Sequence, residues 1–348
     1  MALYGNDAAS HRVRLSQYRA GLLESGIDLQ VHSILDNSYL RSRSIGDLPS
    51  LLTLARNTLK RIKLVADSKR FDVALIHCEL FPFLPWWFER FCLRIPYIYD
   101  FDDAWYLRYR MGTLKFARGL LGNKSDKVIA SASAVTAGNA FLADYACNLN
   151  PNVCLLPSVV DTQRFRKVRL ARNTVFTVGW IGSKTTAKFL DSIVGPLAKL
   201  GAETRIRFVV IGANAPQIEN VEVLEIPWSE LTEVGSINRL DLGLMPLFDD
   251  EWSHGKCAFK LVQYMACEVP VIASRIGANL DLVTPDCGFL VRNEDEWLDA
   301  LRWMRDHPDE RRVMGEAART RIENNYSLER NLVSLANIIR QVANVDKI

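Results

Sequence analysis

The sequence predicts an α/β protein. Three observations carry this: short apolar runs alternate with longer helix-period segments from end to end; the runs are too continuously apolar for half-exposed antiparallel strands; and 348 residues suit two domains better than one or three, at about 150 residues each. Hydrophobic residues at 49% and charged ones at 24% exclude disorder, collagen-like repeats and coiled coil. No short-period repeat points to a solenoid or propeller.

In chain order, Ala2–Gly5 reads as the end of a first strand followed by a glycine turn. Strands are then expected over Ile27–Ile34, Asp72–His77, Pro96–Asp100, Lys127–Ala130 and Val153–Leu156, with helices including Val13–Ser25 and Leu51–Ala66 between them. The polar, basic stretch between Asp161 and Thr174 lacks core signals and reads as an interdomain connection, with the boundary near Arg166. That divides the chain into 1–165 and 166–348. A second series follows: Thr174–Ile181, Arg207–Gly212, Val221–Ile226, Asp241–Met245, Pro270–Ala273 and Gly288–Val291, closing in helices, the last of which is expected to pack back on the first domain.

Forty-three Lys and Arg against forty Asp and Glu leave a net charge of +3, so no global field draws the chain to nucleic acid. The seven cysteines include no C-x-x-C pair and no zinc-finger spacing, which favours a reducing cytoplasm over a disulfide framework or structural metal. Met1–Ser10 has no basic segment leading into an apolar run, so no secretory signal is expected. The most apolar window, Leu80–Phe88, is interrupted by Pro82 and Pro85 and falls far short of the ~20 residues of a spanning helix. Its aromatics, Phe81, Phe83, Trp86, Trp87 and Phe88, together with Arg56, Lys60, Arg61 and Lys63 on the 51–66 helix, suggest peripheral contact with an anionic membrane; the alternative is an ordinary core run and a solvated helix face.

Chemistry concentrates in three places. After the strand Thr174–Ile181, the turn Gly182-Ser183-Lys184-Thr185 opens a helix-period segment, a geometry in which backbone N–H groups and a helix start attract phosphate; a plain capped turn is the competing reading. Further on, Lys256, Lys260 and Gln263 fall at i, i+4 and i+7, one face of a helix whose other residues are largely apolar, so the two cations want an anionic partner. In the first half, Asp100, Asp102 and Asp103 follow a strand whose carboxyl end lines a ligand cleft, as does Glu79 after the preceding strand. Asp102 and Asp103 are candidates to orient or deprotonate an acceptor hydroxyl and Glu79 to bind acceptor hydroxyls, with capping or surface ion pairs as the alternatives. Three carboxylates invite a hard cation, but too few oxygens are assured and no metal is expected. His77 and His254 receive no role, since a lone histidine beside a strand is more often structural.

The run GKCAFKLVQYMACEVPVIAS, supported by LLPSVVDTQRF, VGWIGSKTTAKFL, DLGLMPL and IYDFDDAWYL, resembles the family-4 glycosyltransferases of the GT-B fold, group 1, in a bacterial branch with GKxxxKLxQYMAxxxPVIAS. The resemblance spans essentially the whole chain. It implies two Rossmann-like parallel-sheet domains facing across a cleft, the first binding the acceptor and the second a nucleotide-sugar. It also implies transfer with retention of anomeric configuration and no required cofactor; polysaccharide biosynthesis is the expected role, and the chain is expected in the cytoplasm, at the inner face of the membrane where the aromatic and basic contact forms. Gly182, Ser183, Lys184, Thr185, Lys256, Lys260 and Gln263 are then the donor-binding candidates, with Lys256 and Lys260 offsetting charge on the leaving diphosphate and Asp102 and Asp103 serving the acceptor. The chain departs from the wider family where an Arg and a Lys usually follow the donor-domain strand (Trp180 and Thr185 here) and where two glutamates usually stand eight positions apart (Gly255 and Gln263 here). A nucleotide-sugar epimerase and a non-catalytic nucleotide- or glycan-binding protein are the alternatives.

Overall fold

The computed structural model describes residues 1–35, 51–168, 171 and 173–345. The chain forms two compact units: Met1–Ser158 with Gly255–Cys257 and the segment from Leu328 onward, and Val159–His254 with Ala258–Ser327. Residues 159–165 therefore lie with the second unit, ahead of the boundary read at Arg166, and the last helix, Leu328–Val345, lies with the first. Of the connection read between Asp161 and Thr174, residues 169, 170 and 172 are outside the described residues.

In the first unit, β1 (Ala2–Tyr4) pairs in parallel with β2 (Ser33–Leu35), while β3 (Ala74–His77), β4 (Tyr97–Phe101), β5 (Ala134–Ala137) and β6 (Val153–Leu155) form a parallel sheet in that order. The Met1 carbonyl accepts from the His77 amide at 2.9 Å, which places β1 beside β3. Strands β3, β4 and β5 are buried along their whole length, as expected of parallel strands covered on both faces.

Three expectations need correction here. Lys127–Ala130 is the end of a helix, Lys124–Ala130: Lys124 and Val128 are buried at i, i+4 spacing, and the sheet position goes to the small-residue run Ala134–Ala137, which carried no strong strand signal. The Ile27–Ile34 strand shrinks to Ser33–Leu35. Val13–Ser25 is not one helix but Ala9–Arg14, a 3-10 turn at Ser16–Tyr18, and Arg19–Glu24.

The second unit is a six-stranded parallel sheet of β7 (Phe176–Ile181), β8 (Ile206–Ile211), β9 (Glu222–Ile226), β10 (Leu242–Met245), β11 (Val271–Ser274) and β12 (Gly288–Val291), ordered β12-β11-β10-β7-β8-β9. Alternate residues feed two cores: Val178, Trp180, Phe208 and Val210 pack on one side of the sheet, and Ile181, Val209, Ile211 and Tyr264 on the other. This is the Rossmann order, with the winding reversing between β7 and β10. In such sheets, ligands bind outside the carboxyl ends of the strands at that reversal. The Gly182 turn leaves β7 there.

Candidate functional site

The turn after β7 is held by its own groups. The Gly182 amide donates to the Ile211 carbonyl at 2.9 Å, the Ser183 amide to Thr186 Oγ1 at 3.1 Å, and the Ser183 and Thr185 hydroxyls are 2.8 Å apart. Gly182 and Ser183 amides are thus already committed, a correction to their expected role as phosphate donors. The turn is followed by a 3-10 segment, Ala187–Ile193, before the helix Val194–Glu203. Glycine is required at 182 because a Cβ would run into the ring of Trp180.

Trp180 is 1% exposed and fills the space beneath the turn. Lys260 Nζ lies 5.5 Å from its ring centroid, so a cation sits over this ring, stabilised by its face. Lys260 belongs to the helix Phe259–Ala266, which Tyr264 fastens to β7 by accepting the Ile181 amide at 2.7 Å. Gln263 on the same helix is buried and donates to Glu233 Oε2 at 3.3 Å, in a cluster where Trp228 Nε1 donates to the same oxygen at 3.0 Å and Arg164 pairs with Oε1 at 2.5 Å. Lys184 and Thr185 stand on the exposed turn beside Ser183.

Lys256 does not share a helix face with Lys260. Ala258 adopts φ 52°, a left-handed conformation that ends any helical run before Phe259, and Gly255–Cys257 lie with the first unit. There Lys256 Nζ is 3.4 Å from Asp103 Oδ1, and its carbonyl accepts from Asn139 Nδ2 at 3.0 Å. A Cβ on Gly255 would come within 2.8 Å of the Ala104 backbone nitrogen, so residue 255 has no room for a side chain.

The first unit's own polar centre is built at the ends of β3 and β4. Asp100 is buried and accepts from Arg14 Nε at 3.1 Å, from Arg14 Nη2, from Thr136 Oγ1 at 2.6 Å and from His77 Nδ1 at 2.8 Å. Burial alone would raise its carboxyl, but the Arg14 charge and the His77 hydrogen bond outweigh that and hold it below the ordinary carboxylate range. Asp102 is farther out, with Oδ1 3.7 Å from His77 Nε2 and its carbonyl accepting from Cys257 Sγ at 3.0 Å. Asp102, Asp103 and Lys256 are therefore brought together at one sheet end, while Asp100 is a buried anchor.

Glu79 differs from its expected acceptor role. Its carboxylate is 4% exposed and lies between Lys124 Nζ at 3.0 Å, Arg108 Nη1 at 3.1 Å and the Tyr109 hydroxyl at 2.9 Å, with Glu89 on the other side of Lys124 at 2.9 Å. A cation of the helix Lys124–Ala130 draws it inward. The residues that sequence reasoning left without a role, Arg14 and His77, organise the first unit's centre; the only signal for them was a histidine at a strand end one strand away from an aspartate. An open cavity of about 970 Å³ also lies in this unit, lined by Asn6, His11, Gln17, Arg19, Asp28 and Ser33 among others.

Residues 192–337 match the sequence model of the family described as Glycosyl transferase-like. No curated protein matches the chain in sequence. Among solved structures, it is similar to sucrose-phosphate synthase from Thermosynechococcus elongatus (14% identity, 98% of this chain and 96% of that one, TM-score 0.70). It is also similar to a glycosyltransferase from Rickettsia africae (14%, 98% and 98%, 0.68) and to Anabaena HepE solved with UDP and glucose (14%, 97% and 99%, 0.68). These likenesses establish the GT-B fold.

Proposed function

We infer that this chain, which carries a glycosyl transferase-like domain on a GT-B fold, is a retaining glycosyltransferase of the family-4 kind. It moves a sugar from a nucleoside-diphosphate sugar to a hydroxyl of a glycan, lipid-linked or small-molecule acceptor. The observation that carries this reading is the reversal point of the second unit's sheet, where a small-residue turn stands at the end of β7 and Lys260 stands over Trp180.

As the anomeric carbon leaves the diphosphate, negative charge grows on the leaving group. With the Gly182 and Ser183 amides engaged, Lys260 and Lys184 supply the opposing charge and the Ser183 and Thr185 hydroxyls supply hydrogen bonds. Gln263, held by Glu233, contributes through the position of its helix. On the first unit, Asp102 and Asp103 align the acceptor hydroxyl, with Lys256 fixing Asp103, and the mixed polar cavity beside Asn6 and His11 offers room for a hydroxylated acceptor. No residue is assigned as a covalent nucleophile and no metal is invoked in this step.

The deciding experiment incubates the protein with a panel of nucleotide-sugars, with and without acceptors, and follows nucleotide release, sugar identity and product anomer. Acceptor-dependent release with retained configuration is expected. Sugar epimerised without acceptor, or donor bound and never turned over, would overturn the reading in favour of an epimerase or a binding protein.

A second proposal concerns location. Phe83, Trp87 and Phe91 are exposed at four-residue intervals on and before the helix Trp86–Cys92, with Trp87 57% and Phe91 69% exposed. Arg56, Lys60 and Lys63 are exposed on the helix Leu51–Ala66. Arg61 is not part of that stripe: it is buried and donates to the carbonyls of Ala2 and His32. Among the described residues no helix is long and apolar enough to cross a membrane. Peripheral contact of the first unit with an anionic membrane surface fits the aromatic face and the three outward cations.

A further inference from the structure

We propose that His77, Cys78 and Asp102 form a binding site for one zinc-class divalent cation at the carboxyl end of the first unit's sheet. The sequence reading considered a cation only for the three aspartates. The structure removes Asp100 from that set by pairing it with Arg14, and it brings a histidine nitrogen and a thiol to Asp102 instead.

The argument begins with a proton. Asp100 is ionised and already accepts from Arg14 and Thr136, so its contact with His77 Nδ1 requires the proton to be on that nitrogen. That leaves Nε2 as the ring nitrogen turned away from Asp100. It faces Cys78 Sγ at 3.3 Å and the Asp102 carboxylate at 3.7 Å. Three atoms of metal-ligating type, a nitrogen, a sulfur and a carboxylate oxygen, thus converge on one point, and a cation placed there would take all three as ligands.

The dimensions suit such an ion. Zinc binds nitrogen and oxygen at about 2.0–2.2 Å and sulfur at about 2.3 Å in tetrahedral sites, which sets neighbouring ligand atoms roughly 3.4–3.6 Å apart. The three ligand atoms here all lie within 4.8 Å of one another, two of the separations being those given above. Behind the ring, Asp100 fixes the tautomer and orientation of His77 as carboxylates do behind metal-bound histidines. Cys78 is held in a left-handed conformation, φ 66°, by its amide donating to the Asp100 carbonyl at 2.9 Å and by the Tyr99 hydroxyl donating to its own carbonyl at 2.8 Å. This turns consecutive residues His77 and Cys78 toward one point.

The ligand chemistry selects the ion. A thiolate with imidazole and carboxylate favours zinc over magnesium or calcium, which take oxygen ligands. Burial and the surrounding carboxylates push the Cys78 thiol up, so the metal-free site holds a neutral thiol. On binding, the sulfur–hydrogen bond is replaced by a sulfur–metal bond and the proton passes to solvent. Asp102, 18% exposed in its side chain, marks the side on which a fourth position would meet water. The site shares Asp102 with the acceptor assignment above, so a bound cation would take the carboxylate that otherwise aligns the acceptor hydroxyl; His77 and Cys78 belong to neither assignment, and metal binding is read independently of transfer.

The test uses the untagged full-length chain stripped with a chelator and titrated with cobalt(II), then with zinc. Expected are one cobalt per chain, tetrahedral visible bands, a thiolate-to-cobalt charge-transfer band, and displacement by zinc. Cys78→Ser should abolish the charge-transfer band, Asp102→Asn should weaken binding by at least about tenfold, and Cys257→Ser, which alters the other thiol beside Asp102, should leave the band intact. Folding of each variant is followed by circular dichroism. If Cys78→Ser does not fold, protection of Cys78 from alkylation by zinc in the unaltered chain, read by peptide mass spectrometry, replaces it. No charge-transfer band in excess cobalt, a band that survives Cys78→Ser or follows Cys257, or alkylation of Cys78 unaffected by zinc would each overturn the site.

Discussion

Arg14 grips both oxygens of Asp100, through Nε on Oδ2 at 3.1 Å and through Nη2 on Oδ1, with both side chains almost wholly buried. Removing one partner of such a pair leaves an uncompensated buried charge. Arg14→Met is therefore expected to destabilise the protein by about 3–5 kcal/mol, read as a fall in the urea midpoint. Because the Asp100 carboxyl is depressed in the folded state, its contribution is complete above the unfolded carboxyl value, near pH ~4, and is lost as pH falls through the lower folded value. Urea midpoints of the unaltered chain should thus drop below pH ~4 more steeply than those of Asp100→Asn; parallel curves would refute the linkage.

The two lysines proposed to act in transfer should separate in their effects. Lys260→Ala removes the cation above Trp180 and should lower turnover by about 10²–10³-fold and weaken nucleotide binding, as loss of a charge-stabilising donor does. Lys256→Ala disturbs Asp103 and should reduce turnover while largely sparing nucleoside-diphosphate affinity in calorimetry. Equal losses of affinity in both would contradict the placement of Lys256 with the acceptor groups.

Glycine positions give a contrast in stability. Gly182→Ala forces its methyl against the Trp180 ring and should cost about 1–3 kcal/mol. Gly235→Ala, on the helix Glu233–Ile237 with no neighbouring atom in reach of a Cβ, should stabilise by about 0.4–1 kcal/mol. Thermal melts of the two variants should move in opposite directions.

Lys124 stands between Glu79 and Glu89, all three buried. Lys124→Met leaves two carboxylates facing each other and is expected to cost about 3–5 kcal/mol. Tyr109→Phe, which removes one hydroxyl between Glu79 and the Phe83 amide, should cost nearer ~1 kcal/mol. Denaturant titration ranks them; a Tyr109 effect as large as that of Lys124 would mean that the charge balance is not what holds the cluster.

Liposome flotation tests the membrane proposal. The intact chain should float with anionic vesicles at low salt and less so as salt rises, since each basic residue near the surface contributes ~1 kcal/mol and is screened. Trp87→Ser, at an exposed position, should reduce flotation without unfolding the protein. Retention of the intact chain in the soluble fraction at low salt would reject it.

The strands of the second unit were legible because most are predominantly apolar runs ending near a small or polar residue, β9 with Glu222 and Glu225 being the exception: Gly288–Val291 coincides with its sequence reading, and the others shift by a residue or two. The first unit was harder to read. Val128 and Ile129 look like strand residues until Lys124 is known to be buried one turn earlier, and Ala134–Ala137 lacks the bulk that marks a strand. Helical spacing joined Lys256 to Lys260, and only the left-handed backbone at Ala258 separates them, a conformation that alanine does not advertise. Glu79 was visible as a carboxylate at a strand end; the lysine that turns it inward lies 45 positions along the chain. Asp102 and Asp103 were legible from the strand before them, whereas the meeting of His77 with Asp100 depends on the register of β3 against β4, where they are direct partners.

The passage of the chain between its two units, at 158–159, 254–255, 257–258 and 327–328, bears on how the protein is made. During synthesis the first unit emerges early, gains Gly255–Cys257 midway through the second unit, and lacks the helix Leu328–Val345 until the second unit has been made. Gly21, which packs closely against Leu332, and Tyr18, which meets Asn331, are then left without their final cover on the nascent chain. The earlier-made half is therefore completed last, when that helix arrives. A shortened gene that stops before Leu328 would yield a polypeptide with an unfinished amino-terminal half, a candidate for chaperone capture and proteolysis.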